Sequence, residues 1–252
     1  MDDGAVQLEV MATSVDGVAL AVGAGADRVE LCQDMPAGGT TPSIGLVREA
    51  LRRTSAAGVD LMVMIRPRGG HFVYSSEELD VMRADIEQVV ALGVTGVVFG
   101  LLTPEGEVDR NATTRLVDAA GVRTTFHRAV DVSADVISAA RAAWECGCDA
   151  VLSSGGAPSA LAGAAVLAEL RRWAPQPQGL IAAGGITAAN VAQVLELTGV
   201  NQVHASVRTS ADTSIALDMP LGPLPDWPAA SWPVPDEGGV AAIRGVLGPA
   251  RR

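Results

Sequence analysis

A chain of 252 residues with a formal charge of −11 is long enough for one full-sized α/β domain. Hydrophobic residues make up 48% and aromatic residues only 3%, so the core has to be built from Val, Leu, Ile and Ala. The acidic balance argues against nucleic acid or an anionic membrane surface as the main partner, yet leaves room for a local basic pocket.

The first strand is expected over 7–11, Gln-Leu-Glu-Val-Met, followed by Ser14 as an N-cap and an alanine-rich helix ending at Gly23 to Gly25. A second strand covers 26–32. After a Gly38-Gly39 loop, Pro42-Ser43 opens a helix to about Ala57. The third strand, 61–66, is apolar on both faces, as a buried parallel strand is, and stops where Pro67 lacks an N–H. Arg66 and Arg68 are therefore held at its end. Ser75 or Ser76 caps a helix with Leu79, Met82, Ile86 and Val89 at helical spacing.

The fourth strand is expected over 95–102 with a helix over 109–120, and the fifth over 123–130 with Ser133 capping its helix. The sixth, 150–154, stops at Gly155-Gly156 before a helix over 158–173. The seventh, 180–183, stops at Gly184-Gly185 before a helix from near Thr187, and the eighth covers 203–207. The segment 209–236 is rich in Pro, Asp and Trp and has little periodicity, which confines the last helix to about 236–247. Eight such units predict a parallel sheet closed into a single (β/α)8 TIM barrel, one α/β domain over 1–252 with an irregular Pro-rich segment before the last helix. An open doubly wound sheet competes, but the Gly-x-Gly-x-x-Gly turn expected after its first strand is absent.

Cys32, Cys146 and Cys148 are too few for a disulfide framework and suit a reducing cytoplasm. Asp2 and Asp3 without a basic stretch argue against a signal peptide, and no apolar run approaches the ~20 residues of a membrane span.

In a barrel of this kind the C-terminal ends of the strands converge on one face, where sites are built. Glu9, Glu30, Cys32, Arg66, Arg68, His127, Arg128, Asp131, Ser153, Ser154, Gly155, Gly184, Gly185, His204, Ser206 and Arg208 all fall at or near those ends. Charge is costly to bury unless it is paired or used, so their concentration marks a functional face. Arg66 and Arg68 fit either an anion site or simple ion pairs. His127 and His204 each suit a general base, a soft-metal ligand or a hydrogen-bonded core histidine, whereas His71 reads as solvated. The two glycine pairs precede helices and can bring backbone N–H groups close to a phosphate or carboxylate, with Arg208 beside them. Cys32 fits a nucleophile, a Cu(I) ligand or a small buried hydrophobe. Cys146-x-Cys148 enters strand six from the opposite face and cannot share a site with it.

Several strings resemble the CutC copper-homeostasis family: Leu8-Glu9-Val10, 25–32, 38–43, 64–70, 72–75, 82–86, 125–131 and 204–208, so that the resemblance covers about residues 6–212. It implies a cytoplasmic single-domain barrel linked to copper tolerance or copper binding. It carries over Glu9, Arg28, Glu30, Cys32, Arg66, His127, Arg128, Asp131, His204 and Arg208 as a constellation at the barrel mouth. Met11 stands where many members have a cysteine, exchanging a thiolate for a thioether that Cu(I) still accepts. His71 replaces a usual acidic residue, and Ser153-Ser154-Gly155 replaces Thr-Ser-Gly.

Two functions follow. The resemblance implies a copper homeostasis protein binding Cu(I), with Cys32 as ligand. The residues themselves suggest an enzyme acting on a small anionic or phosphorylated substrate. There Glu30, His127 and Asp131 are the catalytic candidates, and Glu9, Arg28, Arg66, Arg128, Ser154, Gly155, Gly184, Gly185, His204 and Arg208 hold the anion. Trp227 and Trp232 in the Pro-rich segment are candidate contacts of a homo-oligomer.

Overall fold

Parallel neighbours cannot be joined by a tight turn, so each strand must be followed by a long crossover, and the sequence supplies a helix for each. A computed structural model describes residues 6–212 and 231–250. Within them β1 (Gln7–Ala12), β2 (Arg28–Leu31), β3 (Asp60–Met64), β4 (Gly96–Phe99), β5 (Arg123–Phe126), β6 (Ala150–Ser153), β7 (Leu180–Ala182) and β8 (Gln202–Ala205) pair in parallel in chain order. β1 closes the ring, with Glu9 in register with Arg28 on one side and His204 on the other. The crossovers are α1 (Val15–Gly23), α2 (Ile44–Ala57), α3 (Ser76–Ala91), α4 (Arg110–Ala120), α5 (Val136–Glu145), α6 (Ala164–Trp173) and α7 (Val191–Thr198). The expected (β/α)8 TIM barrel is what the chain forms.

Alternation along the strands sorts side chains into two layers. Leu8, Val10, Val29, Leu31, Leu61, Val63, Val97, Phe99 and Phe126 belong to the main core beneath the helices. The intervening residues fill the barrel interior, which is divided by chemistry. Met11, Cys32, Met62, Met64 and Val98 form a sulfur-rich cluster, and Ala150, Leu152, Ile181 and Ala183 a small aliphatic one. Gly96 makes room for the first, since a Cβ there would lie 2.3 Å from the Arg123 carbonyl and 2.8 Å from Met62 Sδ.

Several boundaries differ from the sequence expectation. β5 stops at Phe126, and a 3-10 turn follows over Arg128–Val132. Ser133 only ends that turn; Asp135 caps α5, accepting from Ser138 N at 2.6 Å. α6 and α7 start later than expected, because the glycine turns before them occupy more chain. The Pro-rich segment is not wholly irregular: β9 (Arg208–Asp212) and β10 (Ser231–Pro235) form an antiparallel pair. Proline breaks a central strand but is accepted in a two-stranded ribbon, where every strand is an edge. Of the tryptophans expected at a subunit contact, Trp227 lies outside the described residues and Trp232 is on β10.

α8 (Glu237–Leu247) is tied back to the other end of the barrel. Arg244 Nε donates to the Gly25 carbonyl at 2.9 Å, and its Nη2 pairs with Asp27, whose Oδ2 also accepts from Leu8 N at 2.7 Å. Among the described residues no helix is long and apolar enough to cross a membrane.

Candidate functional site

Period-two alternation places Glu9, Arg28, Glu30 and His204 inside the barrel on the three adjoining strands β1, β2 and β8. Arg28 Nε meets Glu9 Oε2 at 2.5 Å, and its Nη1 donates to Gln7 Oε1 and Gln202 Oε1, each at 2.9 Å. Glu9 uses its other oxygen on His204, with Oε1 2.7 Å from Nδ1. The far side of that imidazole faces Glu30, Nε2 lying 3.7 Å from Oε2. A charge array Arg28–Glu9–His204–Glu30 thus runs through the interior.

The array ends at a cavity of about 360 Å³ at the C-terminal end of the barrel. Glu30 and His204 line it, together with Cys32, Arg66, His127, Arg128, Gly184, Gly185, Ser206 and Arg208. Glu9 and Arg28 do not. They were expected to hold an anion, but Arg28 is 2% exposed and Glu9 1%, and each neutralises the other beneath the cavity floor.

The environment separates the titrating groups. Burial would raise the Glu9 carboxyl, but Arg28 and His204 outweigh it and hold Glu9 at about 2. Burial lifts Glu30 to about 7, His204 and Arg28 opposing and the Glu9 charge adding. Burial also works against charge on His204, yet Glu30 and Glu9 together raise its pKa. His127 goes the other way, pushed down to about 3 by burial and then by the Arg66 charge. One histidine is therefore favoured as a cation and the other as a neutral ring, which is how neighbouring groups acquire different acid–base roles. Of the roles open to His127, general base, soft-metal ligand or hydrogen-bonded core histidine, burial beside Arg66 favours those of the neutral ring.

The arginines also sort themselves. Arg66 Nη1 donates to the carbonyls of Ala37 (2.9 Å) and Gly39 (3.0 Å), and Nη2 to that of Gly70 (2.8 Å). It fastens two loops at the rim, so most of its donors are unavailable for clamping an anion. Arg68 turns away to Glu78, 2.5 Å from Nε, and to the carbonyls of His71 and Val73. His71 is exposed, as expected. Arg208 is exposed at the cavity wall, and no described residue accepts a hydrogen bond from it.

The anion expected at Gly155-Gly156 is already supplied by the chain. Asp131 Oδ1 accepts from Ser153 Oγ (2.6 Å), Ser154 N (3.0 Å) and Gly156 N (3.1 Å), while Oδ2 takes Arg128 Nε at 2.7 Å. Ser154 Oγ accepts from Arg128 Nη2 at 2.9 Å, and Gly155 N donates to Ser153 Oγ at 2.8 Å. Asp131, Ser154 and Gly155, expected as site residues, lie behind the cavity lining and form the scaffold that carries Arg128. No sequence pattern distinguishes an internal carboxylate in such a nest from an external one. Gly184 and Gly185, with φ of +98° and +67°, do reach the cavity, and a Cβ on Gly184 would lie 3.0 Å from Ser154 Cβ.

On the sulfur side, Cys32 Sγ lies 3.5 Å from Met35 Sδ, and Met11 and Met64 line the same cavity. Burial and the Glu30 charge push the Cys32 thiol far up, despite Arg208, so it is a thiol rather than a thiolate. Among the described residues no group of three or more His, Cys, Asp or Glu could hold a metal ion, so a soft ion here would depend on thioethers. Met64 was detectable from alternation with Arg66. Met35 and Phe72 carry no such signal, because one sits in the 3-10 turn Met35–Ala37 and the other in a loop. Cys146 and Cys148 are buried away from this cavity.

Known proteins resemble this chain over most of its length. The CutC family model matches residues 6–209. The family protein CutC of Xanthomonas campestris pv. campestris (strain 8004) is 45% identical over 205 residues, 80% of this chain and 83% of its own. That of Porphyromonas gingivalis (strain ATCC 33277) is 42% identical over 217 residues, 86% of each. A solved structure from Streptococcus agalactiae, named CutC and provisionally a copper homeostasis protein, is 32% identical with a TM-score of 0.75, covering 79% of this chain and 97% of that one. With its barrel, the family model and these relatives in agreement, the chain belongs to the CutC family.

Proposed function

We propose that the barrel mouth is a catalytic site that moves a proton on a small anionic molecule. The observation that carries this reading is the buried Glu9–His204–Glu30 array, whose last carboxyl opens on the cavity. A carboxyl poised near 7 is populated in both protonation states at neutral pH, as a general acid–base requires. Glu9 fixes the His204 ring and supports its charge, and His204 tunes Glu30. The unpaired Arg208 and the left-handed Gly184-Gly185 turn on the same wall supply a place for the anion. Calorimetry with glycerol 3-phosphate, repeated in buffers of different ionisation enthalpy, tests both halves. Arg208→Ala should weaken binding by about tenfold or more, and Glu30→Gln should abolish proton uptake or release on binding. Absence of binding by glycerol 3-phosphate, lactate or inorganic phosphate would rule out the anion site.

The Cys32–Met35 contact favours a second reading, handling of Cu(I) as cargo in cytoplasmic copper homeostasis. Thioethers are neutral soft donors that suit Cu(I), and a bound ion would displace the Cys32 proton. The Streptococcus agalactiae relative's provisional role points the same way. Cu(I) titrations against bicinchoninic acid should lose one equivalent in Cys32→Ser and weaken in Met35→Leu; unchanged stoichiometry in both would remove copper from this cavity.

A further inference from the structure

Among the described residues, two buried hydrogen-bond donors on side chains that line the cavity have no acceptor. His127 Nε2 and Arg66 Nε are both buried and unpaired, on side chains each only 5% exposed. A buried donor without an acceptor costs free energy, and two on one wall call for a common explanation.

Their placement is coordinated. Gly100 follows the end of β4, and a Cβ there would lie 2.4 Å from His127 Nδ1. The missing side chain lets the His127 ring, at the end of β5, lie over the end of β4 towards β3 and Arg66. Phe72 adjoins both: its ring centroid is 4.9 Å from the His127 ring centroid and 4.9 Å from Arg66 Cζ.

The proton on the ring can be assigned. Ala129 N–H donates to His127 Nδ1 at 3.1 Å, and a backbone amide cannot accept. Nδ1 is therefore the lone-pair nitrogen, and the neutral ring carries its hydrogen on Nε2. Arg66 Nη1 and Nη2 are committed to the rim carbonyls, which leaves Nε–H as its uncommitted donor.

We infer that His127 Nε2–H and Arg66 Nε–H form a donor cradle for a carbonyl oxygen of the bound anion, with Phe72 as its cover. The inference rests on the acid–base reading of the same site and names its substrate class, a small carbonyl-bearing anion. His127 then acts as a neutral electrophile. When the Glu30 carboxylate takes a proton from the carbon next to the carbonyl, the released electron pair moves onto the carbonyl oxygen, where the two donors meet it. Return of that proton to carbon completes the cycle with no other reactant.

Two probe pairs test this, dihydroxyacetone phosphate against glycerol 3-phosphate and pyruvate against lactate; the first tests a phosphate as the anion and the second a carboxylate. Long-range ¹H–¹⁵N spectra of histidine-labelled protein should show His127 as the Nε2–H tautomer, with its signal shifted by the carbonyl member of at least one pair and not by the alcohol. That carbonyl member should bind about tenfold more tightly, and His127→Phe should erase the preference. Equal binding within both pairs, an unshifted Nε2–H signal or an Nδ1–H tautomer overturns the cradle while leaving the anion site standing. Failure of all four probes to bind overturns both. Should His127→Phe not fold, the wild-type spectra and affinities still decide.

Discussion

Glu9 has the most demanding surroundings of any residue in the interior. Its carboxylate is buried and shared by a guanidinium and an imidazole, so removing its charge leaves Arg28 buried without a counter-charge. Glu9→Gln should destabilise the protein by about 3–5 kcal/mol, read from urea unfolding at pH 7. The sign with pH follows from the depressed pKa. The stability Glu9 contributes is complete above its unfolded value of 4.5 and is lost as pH falls towards about 2. Glu30 has the opposite sign. Its folded pKa of about 7 lies above the unfolded 4.5, so the native state holds the extra proton and stability declines as pH rises from 4.5 through 7. Glu30→Gln should flatten that part of the profile; an unchanged slope in the urea midpoint between pH 5 and 7 would show that Glu30 is not the group responsible.

Among the elements, β4 shows how absent side chains build the interior. It runs Gly96-Val97-Val98-Phe99 and is followed by Gly100, so that glycine stands at both ends of its inward row. Gly96 admits Met62 and Gly100 admits the His127 ring. Gly96→Ala must displace the Arg123 backbone as well as Met62. An overpacking cost of about 1–3 kcal/mol is expected, visible as a lowered melting temperature with the helical circular dichroism retained. The sequence marks both glycines as part of a strand. It does not reveal that each is a socket, because the side chain that fills it comes from another strand. The caps contrast with this. Ser14 and Ser75 accept from Gly17 N and Glu78 N within three residues of chain, the first legible directly and the second as one of the pair Ser75 or Ser76, whereas Asp135 displaced the expected Ser133 once the 3-10 turn had taken up the intervening residues.

At the scale of the molecule, the last helix is fastened at the end of the barrel opposite the cavity. Arg244 joins the last helix to Gly25 and Asp27, near the start of β2, far from the mouth. Arg244→Met should cost about 3–5 kcal/mol by breaking a nearly buried ion pair. The His127 and His204 resonances should keep their wild-type positions; if they move, the two ends are coupled and this separation fails. The acidic net charge and the cationic Arg208 at the mouth coexist because charge matters locally, within about 10 Å at ordinary salt.

The sequence by itself determined the fold and the rim where the polar strand-end residues gather. Eight hydrophobic runs alternating with helical patterns admit essentially one closed arrangement, and polar residues at strand ends have one rim to occupy. It also determined that Glu9, Glu30 and Cys32 point inward, since that depends only on a period of two. What each charged group does was decided by tertiary structure. Whether Asp131 is free or sits in the Ser153–Gly156 nest, whether Arg66 clamps a ligand or ties two loops, and whether His204 is supported as a cation all depend on partners brought in from other parts of the chain. Such partners lie up to 195 residues apart in the chain, as His204 and Glu9 do, and burial multiplies the effect of each on its neighbour's charge. Local patterning is a property of consecutive residues, but electrostatic role is a property of the enclosed space they come to share.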